Sequence, residues 1–462
     1  MKNFIYLSIG FCIMIIVNSG CNKEFLNANP SSAILEPTTL DDFQSLLESA
    51  YTTASSPALP TLSADEYEYA SYATYQSART ATERNSYIWA KDIFQGAIDG
   101  GDWDDPYSNI FYSNSVLAGL AKIANNQTDP SRWNYLKAWA LFQRALAYYE
   151  LVDNFAPVYD AATANTDLGV PIKLNPSIDD EEPRASVQKT YDQILSDLNT
   201  ALPGLVTNIP VNNREQPSKV AGHALLARIY LNMRKYDLAE VHADSALQIY
   251  NTLIDYNTVS LTASAPFTPE NNELIFTRST VVTYPSITSL SNPFITISPS
   301  LFALYSSNDL RSSIYFKQTS TGTTIPKRNY VGTGLYPFTG LATDELYLIK
   351  AECAARRNDV NTALTYLNDL LVKRYITNTF IPVTASNQAD ALNAILKERQ
   401  KELVWRNLRW DDIKRLNKEG SNITLTRLVN GQTFTLPPND PRYVFPIPDN
   451  EIRLSGIPQN VR

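Results

Sequence analysis

The chain has 462 residues, enough to bury a large core and to form more than one domain. Its 47 acidic and 39 basic residues leave a formal net charge of −8, and a phosphate-gripping protein needs a basic face, so nucleic acid is not an expected partner. Only 19% of residues are charged while tyrosine alone numbers 27, a composition suited to neutral polar ligands.

At the start of the chain, Lys2 precedes an apolar run from Phe4 to Val17, and Asn18-Ser19-Gly20 leads into Cys21. The run is shorter than the roughly 18 apolar residues of a spanning helix, and small residues precede the cut, so residues 1–20 read as a signal peptide. Of the three cysteines, Cys12 leaves with the signal, and Cys21 and Cys353 suggest no disulfide framework. Cys21 is therefore the expected lipidation site. Acyl chains such as palmitate contribute about 0.8 kcal/mol per buried methylene, and several together hold a protein on a membrane that it does not cross.

Next come Tyr67, Tyr69, Tyr72, Tyr75, Arg79, Arg84, Tyr87, Trp89 and Trp103, interleaved with Asp and Asn. An aromatic face accepts the C–H face of a sugar ring, and Arg, Asp and Asn bond its hydroxyls; each ring equally suits a packed core. Trp139, Leu141, Leu146, Tyr148 and Tyr149 predict a helix over Trp133–Val152. Its expected partner is Val187–Leu202, with a stripe of Tyr191, Ile194, Leu198 and Leu202 and Ser186 as the cap.

The clearest pattern is a helical hairpin over Ser218–Tyr250. Val220, Ala224, Ala227 and Leu231 recur at intervals of four, three and four, and Ala239, Ala243, Ala246 and Tyr250 repeat them. With Leu226, Tyr230 and Tyr236 in order, it looks like a tetratricopeptide repeat. A second pair spans Thr343–Arg374. Between and after them run Asn257–Asp309, Ser312–Leu341 and Ile376–Asn387, irregular and rich in Thr, Ser, Pro and Asn, with β-like runs at Glu273–Arg278 and Pro293–Ile297. Long irregular segments in a compact protein usually carry function.

His223 and His242 are the only histidines, both inside the hairpin, and no cluster has metal-ligand spacing, so neither a metal nor another cofactor is expected. Asp65, Glu66, Asp102, Asp104 and Asp105 could supply an acid and a base, which keeps a surface glycoside hydrolase as one alternative. A tetratricopeptide adaptor that binds only protein is the other.

Leu396–Asn417 reads LKERQKELVWRNLRWDDIKRLN and the chain closes with YVFPIPDNEI and Pro458-Gln459-Asn460. With Arg184-Ala185-Ser186-Val187 and Asn272–Phe276, these stretches resemble the SusD/RagB family of outer-membrane nutrient-binding lipoproteins. Glu398, Arg399, Glu402, Leu403, Arg409, Asp412 and Arg415 match its ER…EL…R…D…R helix, although Arg406-Asn407 stands where many members carry Glu-Gly. The charged residues of this helix read as ties to the scaffold.

The resemblance implies a mostly α fold of tetratricopeptide-like helix pairs, with an irregular loop-rich face and a few short strands. It also implies a non-catalytic protein, lipid-anchored in the cell outer membrane and surface-exposed, that binds an oligosaccharide or peptide and delivers it to a SusC-like TonB-dependent transporter. Residues 21–210 are then the N-terminal region and 211–462 the C-terminal region of one globular unit. Within the neighbourhood the family suggests, Asp65, Tyr67, Arg79, Trp89 and Trp103 are the candidate ligand-binding residues, closed by the Tyr284–Pro299 loop with Tyr284 at its start.

Overall fold

Among the described residues, ten helices of eight or more residues carry the fold: α1 (Leu40–Leu47), α2 (Gly101–Ile123), α3 (Pro130–Phe155), α4 (Val187–Ala201), α5 (Lys219–Asn232), α6 (Tyr236–Ile249), α7 (Thr343–Arg356), α8 (Val360–Leu371), α9 (Gln388–Glu402) and α10 (Arg409–Lys418). The structure, a computed structural model, describes residues 37–49, 55–97, 100–125, 128–177, 179–328 and 330–462. Residues 1–20, expected to be a signal peptide, and Cys21 lie outside the described residues. Leu40–Arg462 forms one compact unit, and α4 and α5, on either side of the proposed 210/211 boundary, are in contact.

α3 sits at the centre. Asp129 caps it by accepting the Arg132 N–H at 3.0 Å, and Pro130 enters where no intrahelical bond is lost. Every residue from Ala138 to Phe155 is buried, as for a helix with neighbours all round. Its buried charged side chains are paired: Arg144 forks onto Asp197 at 2.7 and 2.6 Å, Glu150 meets Arg278 at 3.1 Å, and Asp153 meets Lys414 at 3.1 Å. The predicted α3–α4 pair forms, and Ser186 caps α4 by accepting the Lys189 N–H at 3.2 Å. α2 also packs on α3; the sequence offered no amphipathic stripe for it because its buried side carries Asp102, Asn109, Ser113 and Asn114.

The α5–α6 and α7–α8 hairpins form where periodicity predicts them. Their turns need left-handed residues, supplied by Arg234 (φ 58°) and Asn358 (φ 67°). α6 packs on α7 and α7 on α9, which stacks successive pairs into a scaffold.

The expected single helix over Leu396–Asn417 is a correction: α9 ends at Glu402 and α10 begins at Arg409. Between them Trp405 and Asn407 have φ of 59° and 63°, which no helix interior allows. Asn tolerates this region better than most residues, so it suits a position where the resemblance implies glycine. Asn407 then holds the turn itself. Its Oδ1 accepts the Thr61 N–H and hydroxyl at 3.1 and 2.7 Å, and its Nδ2 donates to the Pro57 carbonyl at 2.9 Å.

The charged residues of this region are scaffold ties, as read. Arg399 meets Asp412 at 2.9 Å, Arg406 meets Asp344 at 3.1 Å and Arg415 meets Glu352 at 2.6 Å. Fully buried Arg311 bonds Asp309, Glu398 and Glu402, and fully buried Arg374 bonds Glu402 and Glu273, so α9 anchors the irregular chain around 273 and 309. Removing one partner of such a set strands a buried charge at a cost of about 3–5 kcal/mol. Short strands tie the loop face: β1 (Tyr67–Tyr69) pairs antiparallel with β2 (Ile295–Ile297), and β3 (Phe316–Gln318) with β4 (Thr324–Pro326).

Candidate functional site

The tyrosines after Asp65 form a series that runs from core to surface. Tyr67 is fully buried, donates its hydroxyl to the Leu62 carbonyl at 2.7 Å and packs on Tyr87 and Trp405 at 5.5 and 5.9 Å. Tyr69 meets Tyr87 and Tyr75 edge-on at 4.8 and 5.3 Å. Tyr75, half-buried, stacks on Tyr72 at 6.0 Å with 19° between ring planes, and Tyr72 is 42% exposed. Burial pushes the hydroxyls of Tyr67, Tyr69, Tyr75 and Tyr87 above the ordinary phenol value, so the series is neutral.

A short helix, Tyr72–Gln76, sets the outer pair. Ser71 accepts the Thr74 N–H at 3.1 Å and Thr74 Oγ1 accepts the Ser71 N–H at 2.9 Å, a reciprocal cap that fixes the first turn. Positions 72 and 75 then share one face. Around them, Arg79 is exposed, with its backbone N–H on Ser286 Oγ at 2.9 Å, and Arg84 donates to the Ala78 carbonyl at 2.6 Å. The Ala70 N–H on the Phe294 carbonyl at 2.9 Å joins this segment to the Tyr284–Pro299 loop.

The other predicted residues are used by the protein interior. Tyr67, Trp89, Trp103 and Tyr284 are 0, 1, 2 and 1% exposed, so their rings are packed inside the protein and not displayed on its outer surface. Trp89 donates to the Ser63 carbonyl at 3.0 Å, and Trp103 packs edge-on against Phe155 at 5.0 Å. Tyr284 donates to Asp102 Oδ2 at 2.7 Å, while Oδ1 accepts the N–H groups of Ala58 and Leu59 at 2.5 and 3.1 Å. Burial raises the Asp102 pKa, and these donors oppose it. Asp65 is gripped by Arg409. Of the six, only Arg79 is exposed, three residues beyond the Tyr72–Gln76 helix. Tyr72 and Tyr75 belonged to the same aromatic run, and the Ser71-x-x-Thr74 cap was the signal that could have separated them from the packed rings.

A cavity of about 700 Å³ lies beneath the N-terminal half of α2, lined by Trp103, Asp104, Tyr107, Phe111, Asp180 and Glu451 among others. Burial, then Glu451 and Asp105, pushes the Asp104 carboxyl up to about 6. Among the described residues, no group of three or more His, Cys, Asp or Glu could hold a metal ion, and no helix is long and apolar enough to cross a membrane. His223 and His242 face each other across the α5–α6 hairpin, their Nδ1 atoms 3.0 Å apart.

A stacked-helix-pair scaffold with a loop-borne aromatic surface defines the class: a tetratricopeptide-like protein whose exposed chemistry is stacking and hydrogen bonding. Residues 24–231 match the family described as "Starch-binding associating with outer membrane", and residues 341–461 match the SusD family. The chain belongs to the SusD family. Among solved structures, a SusD superfamily protein from Bacteroides thetaiotaomicron VPI-5482 is 22% identical, covering 92% of this chain and 100% of that one with a TM-score of 0.73. A SusD-like carbohydrate binding protein from Bacteroides vulgatus ATCC 8482 is 19% identical over 91% and 97%, with a TM-score of 0.69. A laminarin binding SusD-like protein is 18% identical over 91% and 98%, with a TM-score of 0.67. At these identities the likeness is one of fold. Among curated proteins, none matches the chain.

Proposed function

We propose that the protein captures an oligosaccharide on the Tyr72–Tyr75 surface and passes it to a TonB-dependent transporter in the outer membrane, to which lipid on Cys21 tethers it. The observation that carries this reading is the exposed Tyr72 ring stacked on Tyr75 and backed by a buried tyrosine series. A ring held in place by a capped helix and a packed neighbour loses little freedom when a sugar lies on it. Exposed Arg79 and the Tyr284–Pro299 loop, which is bonded to the backbone of Ala70 and Arg79 on either side of the pair, would supply polar contacts. Membership of the SusD family and the laminarin binding and carbohydrate binding relatives support a glycan as ligand. The reading is non-catalytic, supported by three of the five candidate carboxylates, Asp65, Glu66 and Asp102, being held in protein contacts.

Calorimetry and affinity gels with laminarin and starch oligosaccharides test it. Tyr72→Ala is expected to weaken binding roughly tenfold, the size of a lost aromatic contact, with folding unchanged. Unchanged affinity would move the site elsewhere, and release of reducing sugar by the purified protein would make it a hydrolase. Cys21→Ser is expected to release the protein from membranes, and the anchored form to co-purify with a barrel partner.

A further inference from the structure

A second groove, about 500 Å³, is lined by Phe302, Phe316, Lys317, Gln318, Thr324 and Lys327 among others. It lies on the β3–β4 hairpin, linked to the proposed capture surface through β2 and β1. Thr296 of β2 donates to the Thr324 carbonyl of β4 at 3.1 Å, and β2 pairs on its other side with β1, which leads into Ser71 and Tyr72.

Among the described residues, no carboxylate neutralises the charge in this groove. Lys327 is 4% exposed, and its Nζ donates to the Leu261 carbonyl at 2.6 Å. The other lysines buried this far, Lys350, Lys401 and Lys414, each pair with a carboxylate: Asp244 at 2.6 Å, Asp309 at 2.9 Å and Asp153 at 3.1 Å. Lys327 makes no such pair among the described residues, and neither does Lys317 on β3. Burial, then the neighbouring Lys317 charge, pulls the Lys327 ammonium below the ordinary lysine value. A buried ammonium facing a second cation is costly unless an anion reaches it.

The rest of the lining describes what that anion is attached to. Half-buried Phe302 offers apolar surface and is backed edge to face at 5.8 Å by buried Phe316, while Gln318, Thr324 and Ser312 offer amide and hydroxyl groups at the same wall. Cations, aromatic rings and neutral hydrogen-bonding groups together match a carboxylated sugar better than a bare anion.

We infer that the Lys317–Lys327 groove is a subsite for a uronate residue, so that the glycan captured at Tyr72 is an acidic one. The inference rests on the reading of the protein as a glycan-capture protein. Calorimetry on the full mature chain compares oligogalacturonate with a malto-oligosaccharide of equal length. The expected result is a preference of about tenfold or more for the acidic oligomer, shrinking in 0.5 M NaCl to a few-fold as roughly expected from charge screening. It should be lost in Lys327→Met and reduced in Lys317→Gln. The second variant keeps the test sound if the first does not fold. Equal affinity for the two sugars overturns the inference and leaves the capture reading standing, whereas no binding of either overturns both. Tighter binding of polyglutamate than of oligogalacturonate also overturns it, assigning the groove to acidic peptide.

Discussion

Arg409 closes a two-bond fork on Asp65, Nε to Oδ1 at 2.7 Å and Nη2 to Oδ2 at 2.8 Å, across 344 positions of sequence. The arginine opens α10, and the aspartate lies between the short helix Leu59–Ser63 and β1. Together with Glu66 Oε1, which accepts the Trp405 N–H at 3.1 Å, and with Asn407 on Thr61, the fork fastens the α9–α10 turn under the aromatic series. Two residues that looked like ligand or acid–base candidates thus hold the platform in place.

Asp65→Asn is expected to cost about 2 kcal/mol at neutral pH, because a charge-assisted fork is replaced by weaker bonds to a mostly buried guanidinium. Burial pushes the Asp65 carboxyl up, but the Arg409 charge and hydrogen bonds outweigh it and hold the pKa below the ordinary 3.8. The stabilisation is therefore complete above that value and fades as pH falls through the folded-state value. Urea unfolding at pH 7 and at low pH checks both statements, with glycan affinity at the Tyr72 surface unchanged.

Glu66 behaves oppositely. Its Oε2 is buried without a partner among the described residues, and burial raises its pKa from 4.5 to about 8 against the Trp405 hydrogen bond. The folded state holds a proton that the unfolded chain releases, so stability present below pH 4.5 is lost as pH rises towards about 8, at roughly 1.4 kcal/mol per pH unit. Glu66→Gln copies the neutral carboxyl. It should match the parent near pH 4 and exceed it in thermal unfolding at pH 8.

Trp89→Ala and Trp103→Ala each remove a fully packed ring and should cost about 3–5 kcal/mol, whereas Tyr72→Ala at the surface should stay within about 0.5 kcal/mol. Chemical denaturation of the three variants separates core rings from binding rings. A stable Trp103→Ala protein with lost glycan affinity would reverse this assignment.

The histidine pair should sensitise the scaffold to acid. Burial lowers both values, His242 to about 4 with the His223 charge adding to it, while Lys219 adds at His223. Both rings are neutral in the folded protein, so stability present above pH 6.5 is lost as pH falls towards 4. Tyr230 stacks on His242, so His242→Gln gives up some packing but should flatten the acid limb of a stability-against-pH curve.

What the sequence by itself determined is local. The α5–α6 and α7–α8 hairpins, the Ser186 cap and the pairing of α3 with α4 follow from apolar intervals of three and four and from capping residues a few positions apart. The SusD-like motifs were legible for a related reason: Arg415, Asp412 and Arg399 belong to a compact charged cluster whose members lie close in sequence. α2 escaped because its buried face is polar, and the α9–α10 break escaped because Trp405 and Asn407 adopt left-handed backbone within an otherwise helical pattern.

Only the tertiary structure decided which aromatic rings are surface and which are core. Tyr67 and Tyr72 have the same chemistry five residues apart, yet one is sealed by Trp405 and the Leu62 carbonyl and the other faces solvent. The same holds for charge. Asp65 is neutralised by a residue 344 positions away, while Lys327, equally ordinary in sequence, is buried with no carboxylate paired to it among the described residues. Burial and counter-charge are properties of contacts between distant segments, and the spacing of residues along one chain does not encode them.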